Sequence, residues 1–101
     1  MQIKKTEDHE RLFRAILSLK DSDECLKFFE DICTIKELDE MANRLKVAGM
    51  LRAKKSYVQI GEETGMSTAT ISRVNRALTY GAGGYEIAMD RLKEENGEET
   101  K

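Results

Sequence analysis

Proline and tryptophan are absent from this chain of 101 residues, which holds one histidine, two cysteines and only 6% aromatic residues. Without proline no rigid break is imposed, so turns must come from glycine and from side chains that cap helix ends. Cys25 and Cys33 stand eight apart in one helical stretch, separated by roughly 12 Å of helical rise, too far to bridge each other. With His9 alone and no paired cysteine spacing, no zinc site is expected within one chain, and buried or half-buried free thiols are. His9 itself reads as a solvated helix residue. No apolar run reaches the roughly 20 residues that cross a bilayer, and no signal-peptide stretch opens the chain, which predicts a soluble, cytoplasmic protein without a membrane or metal partner. No Ser-His-Asp or Cys-His constellation, phosphate loop or metal spacing is present, so no enzymatic activity is expected.

Charge is abundant by contrast. Lys and Arg number 17 against 19 Asp and Glu, a net −2. The distribution is uneven: residues 1–43 carry −4, residues 44–80 carry +5, and residues 81–101 carry −3. Beyond a Debye length of about 8 Å a field is local, so a basic head on an acidic body can still hold a phosphate backbone. The acidic remainder should limit non-specific binding.

The length predicts one domain over residues 1–94, followed by a disordered acidic tail at 95–101. Thr6 can cap a first helix reaching about Lys20, with Leu12, Phe13, Ile16, Leu17 and Leu19 on its apolar face. Asp21-Ser22-Asp23 caps a second, which carries Leu26, Phe28, Phe29, Ile32 and Cys33. Thr34 with Glu37 has the form of a capping box and opens a third helix, in which Leu38, Met41, Ala42, Leu45, Ala48 and Leu51 recur at three and four. Ser56 with Gln59 is another capping box, so the third helix should end near Lys55. Gly81-Ala82-Gly83-Gly84 stops a helix near Tyr80 and reads as a flexible joint or, less simply, a phosphate cradle without its Lys-Ser/Thr pair. A last short helix carries Tyr85, Ile87, Ala88, Met89 and Leu92. No strand pattern interrupts this all-α reading.

The most informative stretch is Tyr57 to Arg76, YVQIGEETGMSTATISRVNR, which has the spacing of a helix-turn-helix over about residues 57–78. Gly65 suits the positive φ of the turn, and Gly61 is the small residue expected at the closest helix contact. Ile60, Met66, Ile71 and Val74 fall where the two helices pack. Thr64, just before the turn, stands where an apolar residue is usual, and its methyl is expected to serve. Ser67 suits the N-cap of the second helix, whose outward residues Ser67, Thr68, Ala69, Ser72, Arg73 and Arg76 include no carboxylate. Short side chains let a helix sink into the major groove, and arginine reaches base edges or phosphates. Thr68, Ala69 and Ser72 are expected to face bases. Lys54, Lys55 and the amide end at Ser56 are expected to face phosphates. Arg73 could instead be held against the supporting helix as an ion pair or ligand clamp.

This pattern predicts a transcriptional regulator that reads double-stranded DNA by sequence, the alternative being a helical adaptor that binds protein in the transcription apparatus. The apolar faces of the first two helices favour a homodimer, whose two reading helices would lie about 34 Å apart on a palindromic site. Otherwise those faces cover one chain's own core.

With Ala69-Thr70-Ile71-Ser72-Arg73 preceded by Gly65 and followed by Leu78, the stretch from Thr34 to Leu92 resembles the Trp repressor superfamily, most of all its YerC/YecD-type members. The resemblance implies an intertwined, all-helical homodimer of about six helices per chain that represses transcription from operator DNA, associated with the nucleoid when bound. It also implies a ligand pocket: the arginine pair and threonine that hold the corepressor in tryptophan-responsive members match Arg44 (with one residue gapped), Arg73 and Thr70. Two positions depart from that pattern. The family glycine after the second arginine is Val74, which fills space a flat ring needs, and the serine that meets the ligand's amino group is Ala77, whose methyl cannot accept a hydrogen bond. Tryptophan is therefore not expected as corepressor, and no other cofactor is implied.

Overall fold

The computed structural model describes residues 3–95, and among these six α-helices and no strands occur. They are α1 (Glu7–Leu17), α2 (Ser22–Ile32), α3 (Ile35–Arg52), α4 (Tyr57–Thr64), α5 (Thr68–Tyr80) and α6 (Gly84–Glu95). Apart from Glu95, the expected acidic tail lies outside the described residues. The chain divides into two compact units, residues 1–40 and 41–101, with the boundary inside α3.

In the first unit, capping side chains determine where helices begin. Thr6 accepts from the His9 amide at 3.2 Å, and the Thr6 amide donates to His9 Nδ1 at 3.0 Å. His9 thus completes a capping box in the place usually taken by Glu or Gln, a structural role beyond that of a solvated residue, and it stacks on Phe13. Helix α1 stops at Leu17 instead of Lys20, because Ser18 turns its hydroxyl back to the Ala15 carbonyl at 2.7 Å. Asp21 caps α2 by accepting from the Glu24 amide at 2.9 Å. The Thr34–Glu37 box closes in both directions, at 3.1 and 2.8 Å. No residue from 3 to 40 is buried. Leu17 and Ile35 are more than four-fifths exposed, and Phe13, Leu26 and Ile32 are also open to solvent.

The second unit has a core. Val47, Ala48 and Met50 of α3, Ile60 of α4, Ile71 and Val74 of α5 and Met89 of α6 are buried together, with Leu51, Tyr57, Met66, Leu78 and Tyr85 packed against them. The buried face of α3 matches the expected one only in part: Ala48 is buried and Leu51 packs on the core, but Val47 and Met50 turn inward with them, whereas Met41, Ala42 and Leu45 remain exposed. An 18-residue helix apolar on more than one side can bury only the side its own chain covers. Arg52 fastens the end of α3 to α6, with Nη2 at 2.6 Å from Asp90 Oδ1 and Nη1 at 3.3 Å from Glu86 Oε2. The hydrogen bond to Asp90, more than either carboxylate's charge, raises the Arg52 guanidinium above its ordinary value against the opposing effect of burial. At the end of α5 the Gly81 amide donates to the Ala77 carbonyl at 2.9 Å, and a Cβ on Gly81 would collide with that carbonyl. Within the glycine run, Gly81 is thus required by close approach and Gly83 by its φ of 87°.

Candidate nucleic-acid interface

Three local devices position α4 and α5. The first ends α3. Lys54 adopts φ 67°, while its amide donates to Leu51 O and the Lys55 amide donates to Met50 O, the paired closures of a Schellman motif. A lysine occupies the left-handed position that glycine or asparagine usually takes, so α3 ends at Arg52, earlier than the cap at Ser56 suggested. Ser56 then starts α4 at once: its hydroxyl accepts from the Gln59 amide at 3.1 Å and Gln59 answers on the Ser56 amide at 3.4 Å.

The second device is the turn between α4 and α5. Gly65 has φ 74°, and its amide donates to Gly61 O at 2.9 Å. Thr64 also acts through its hydroxyl: Oγ1 donates to Ile60 O at 2.7 Å and accepts from the Met66 amide at 3.1 Å. It therefore satisfies the first donor after the glycine, which explains a polar residue at a position where apolar ones are usual. Gly61 is less constrained than expected, since an added Cβ would meet Met66 O at 3.7 Å, an ordinary contact.

The third device is the cap of α5. Ser67 accepts from the Thr70 amide at 3.2 Å, and its hydroxyl donates to Thr70 Oγ1 at 3.1 Å, so both hydroxyls are engaged within the helix end. Ile71 and Val74 anchor α5 from beneath at 1% and 2% exposure. Thr68, Ala69, Ser72, Arg73 and Arg76 are all exposed, and their three- and four-residue spacings place them along one side of the helix. Arg73 makes no ion pair among the described residues, so the ion-pair form of the alternative, a tie to the supporting helix within one chain, is not seen.

The nine expected contact residues thus fall on two features, the α3–α4 turn with Lys54, Lys55 and Ser56, and the start and outer side of α5. Lys54 is exposed, whereas Lys55 Nζ lies 3.3 Å from both carboxylate oxygens of Glu63. Of the residues expected around a ligand, Arg44 and Thr70 are half-buried and Arg73 is exposed. None of them lines the shallow apolar groove formed by Leu45, Ala77, Ala82, Gly83, Gly84, Tyr85 and Ala88. Among the described residues no group of His, Cys, Asp and Glu could hold a metal ion, and no helix is long and apolar enough to cross a membrane.

The sequence matches the Trp repressor protein family over residues 7–93. The chain belongs to this family. It is 56% identical over 96 residues to the uncharacterized protein YerC of Bacillus subtilis strain 168, covering 93% of this chain and 92% of that one. Among solved structures it is similar to a TrpR-like protein from Eubacterium eligens, with 55% identity, a TM-score of 0.82 and 96% of each chain covered. It is also similar to a candidate Trp repressor from Staphylococcus aureus, with 40% identity, a TM-score of 0.86, and 96% and 93% of the two chains covered. The all-α, Trp-repressor-like fold expected from the sequence is thereby established, and membership of the Trp repressor family makes the chain a DNA-binding regulator by class.

Proposed function

We propose that this protein is a homodimeric transcriptional repressor that reads a palindromic operator in the cytoplasm without tryptophan. The observation that carries this reading is the exposed side of α5. Thr68, Ala69, Ser72, Arg73 and Arg76 stand on a helix braced by buried Ile71 and Val74 and aimed by the left-handed Gly65 turn. Small side chains and guanidiniums on a rigid helix suit the major groove, and Lys54 with the α4 amide end would set the register on phosphates.

The dimer rests on a separate fact. Residues 3–40 bury no side chain, and Met41 and Leu45 of α3 remain exposed. Two short helices without a core have no independent stability, so a second copy is the natural cover for their apolar sides. The absence of a tryptophan response rests on Val74, which is buried at 2% exposure and occupies the position the family keeps as glycine.

The decisive experiment is selection of bound sequences from a random duplex pool with purified protein and no additive, paired with sedimentation. A two-fold symmetric site bound by a dimer supports the reading. Absence of any enriched sequence, with or without a mixture of amino acids, would move it to the protein-binding adaptor.

A further inference from the structure

Only two carboxylates occur in the basic segment 44–80, Glu62 and Glu63, both on α4. One of them is paired. Lys55 Nζ is equidistant, at 3.3 Å, from both oxygens of Glu63, although the two residues lie at opposite ends of the helix. The side chains are 37% and 48% exposed, so the pair sits at the surface and has no other ion-pair partner among the described residues. Meanwhile the backbone of Lys55 is tied down by its amide bond to Met50 O at 3.1 Å. Its cation therefore starts from a fixed point beside the α4 N-cap and is drawn back along the helix.

We propose that Glu63 is an internal competitor for DNA phosphate, which holds Lys55 and lowers affinity for duplex DNA irrespective of sequence. The inference rests on the DNA-binding reading above. An exposed pair is weak and screened by salt, so a phosphate oxygen can displace the carboxylate. Displacement strips Glu63 of its cation, however, and the gain from a released DNA counterion is offset. Lys54, exposed one residue earlier and without an ion-pair partner among the described residues, meets no such competition there. Because phosphate contacts carry no base information, the effect should be equal on operator and random DNA.

The test is a salt titration of binding to a fixed random-sequence duplex, using the full chain as wild type, Glu63→Gln, Lys55→Gln and the double variant. Glu63→Gln should bind more tightly and steepen the log affinity against log salt slope by about 0.9, a loss about 3.5-fold greater than wild type between about 50 and about 200 mM salt. In the Lys55→Gln background the same change should leave the slope unaltered. An equal gain in both backgrounds would mean general repulsion between Glu63 and DNA, and it would overturn the pairing, as would an unchanged slope in the single variant. If the wild type bound no duplex even at the lowest salt, the DNA-binding reading itself would fall; failure confined to the variants sinks only the competitor.

Discussion

Arg52 Nη2 donates to Asp90 Oδ1 at 2.6 Å across 38 residues of sequence, tying the end of the supporting helix to the last helix. The Arg52 side chain is only 28% exposed, and Nη1 is enclosed with no partner among the described residues except the ionic contact to Glu86. Replacing Arg52 by Leu would leave two carboxylates facing each other at i and i+4 without their cation. The thermal midpoint should fall, by less at high salt, and amide exchange should quicken in α6 before it does in α4. Unchanged protection of α6 would show that the contact does not hold it.

Lys54 combines a strained backbone with an exposed cation. Lys54→Gly should relieve the left-handed strain and stabilise the fold by about 0.5–1 kcal/mol. The same change should weaken DNA binding and reduce the salt slope by about one. Denaturant melts and salt titrations of one variant check both. Stability and binding that fell together would mean that the lysine side chain, not only the turn, supports the fold.

Thr64→Val keeps shape and volume while removing the hydroxyl between Ile60 O and the Met66 amide. Leaving that half-buried amide without an acceptor should cost about 1–2 kcal/mol. Thr64→Ser should recover most of the loss, since it restores the hydroxyl and lacks only a methyl. If serine were as poor as valine, the methyl would be the important group after all.

Glu37 accepts from the Thr34 amide, and this backbone hydrogen bond, followed by that from its hydroxyl partner, holds the carboxyl below its ordinary range. A depressed carboxylate stabilises the fold fully above its unfolded value of about 4.3, and the contribution disappears as pH falls through the lower folded value. Glu37→Gln can keep the capping geometry without the charge. The difference in thermal midpoint between wild type and this variant should therefore shrink below about pH 4, and a constant difference from neutral to acid pH would contradict it.

Val74 is a core residue, and in the proposed function it also takes the space that an indole ring needs. Calorimetry on the wild type should show no stoichiometric tryptophan binding. Val74→Gly should not simply open a pocket: removing a buried side chain from α5 and adding helix-interior glycine should cost about 2–4 kcal/mol. Micromolar tryptophan binding by the wild type would reject this reading of Val74.

Much of this molecule was legible in its letters, because the relevant physics is local. Caps at Thr6, Asp21, Thr34, Ser56 and Ser67 involve donors and acceptors three residues apart, and Gly65 stands where a positive φ must occur, so the helix starts, the turn and the family resemblance could be read along the chain. The outer side of α5 followed from the same helical period. Other features needed the third dimension. A left-handed Lys54 has no residue signature, because lysine can take that conformation only when the surrounding turn holds it there. The hydroxyl of Thr64 acquired its role from the particular turn it joins. The pairing of Arg52 with Glu86 and Asp90 joins helices far apart in the chain, which no local spacing marks. Which side of α3 was buried depended likewise on what the chain could bring against it, since periodicity marks apolar faces but cannot say which one a single chain will cover.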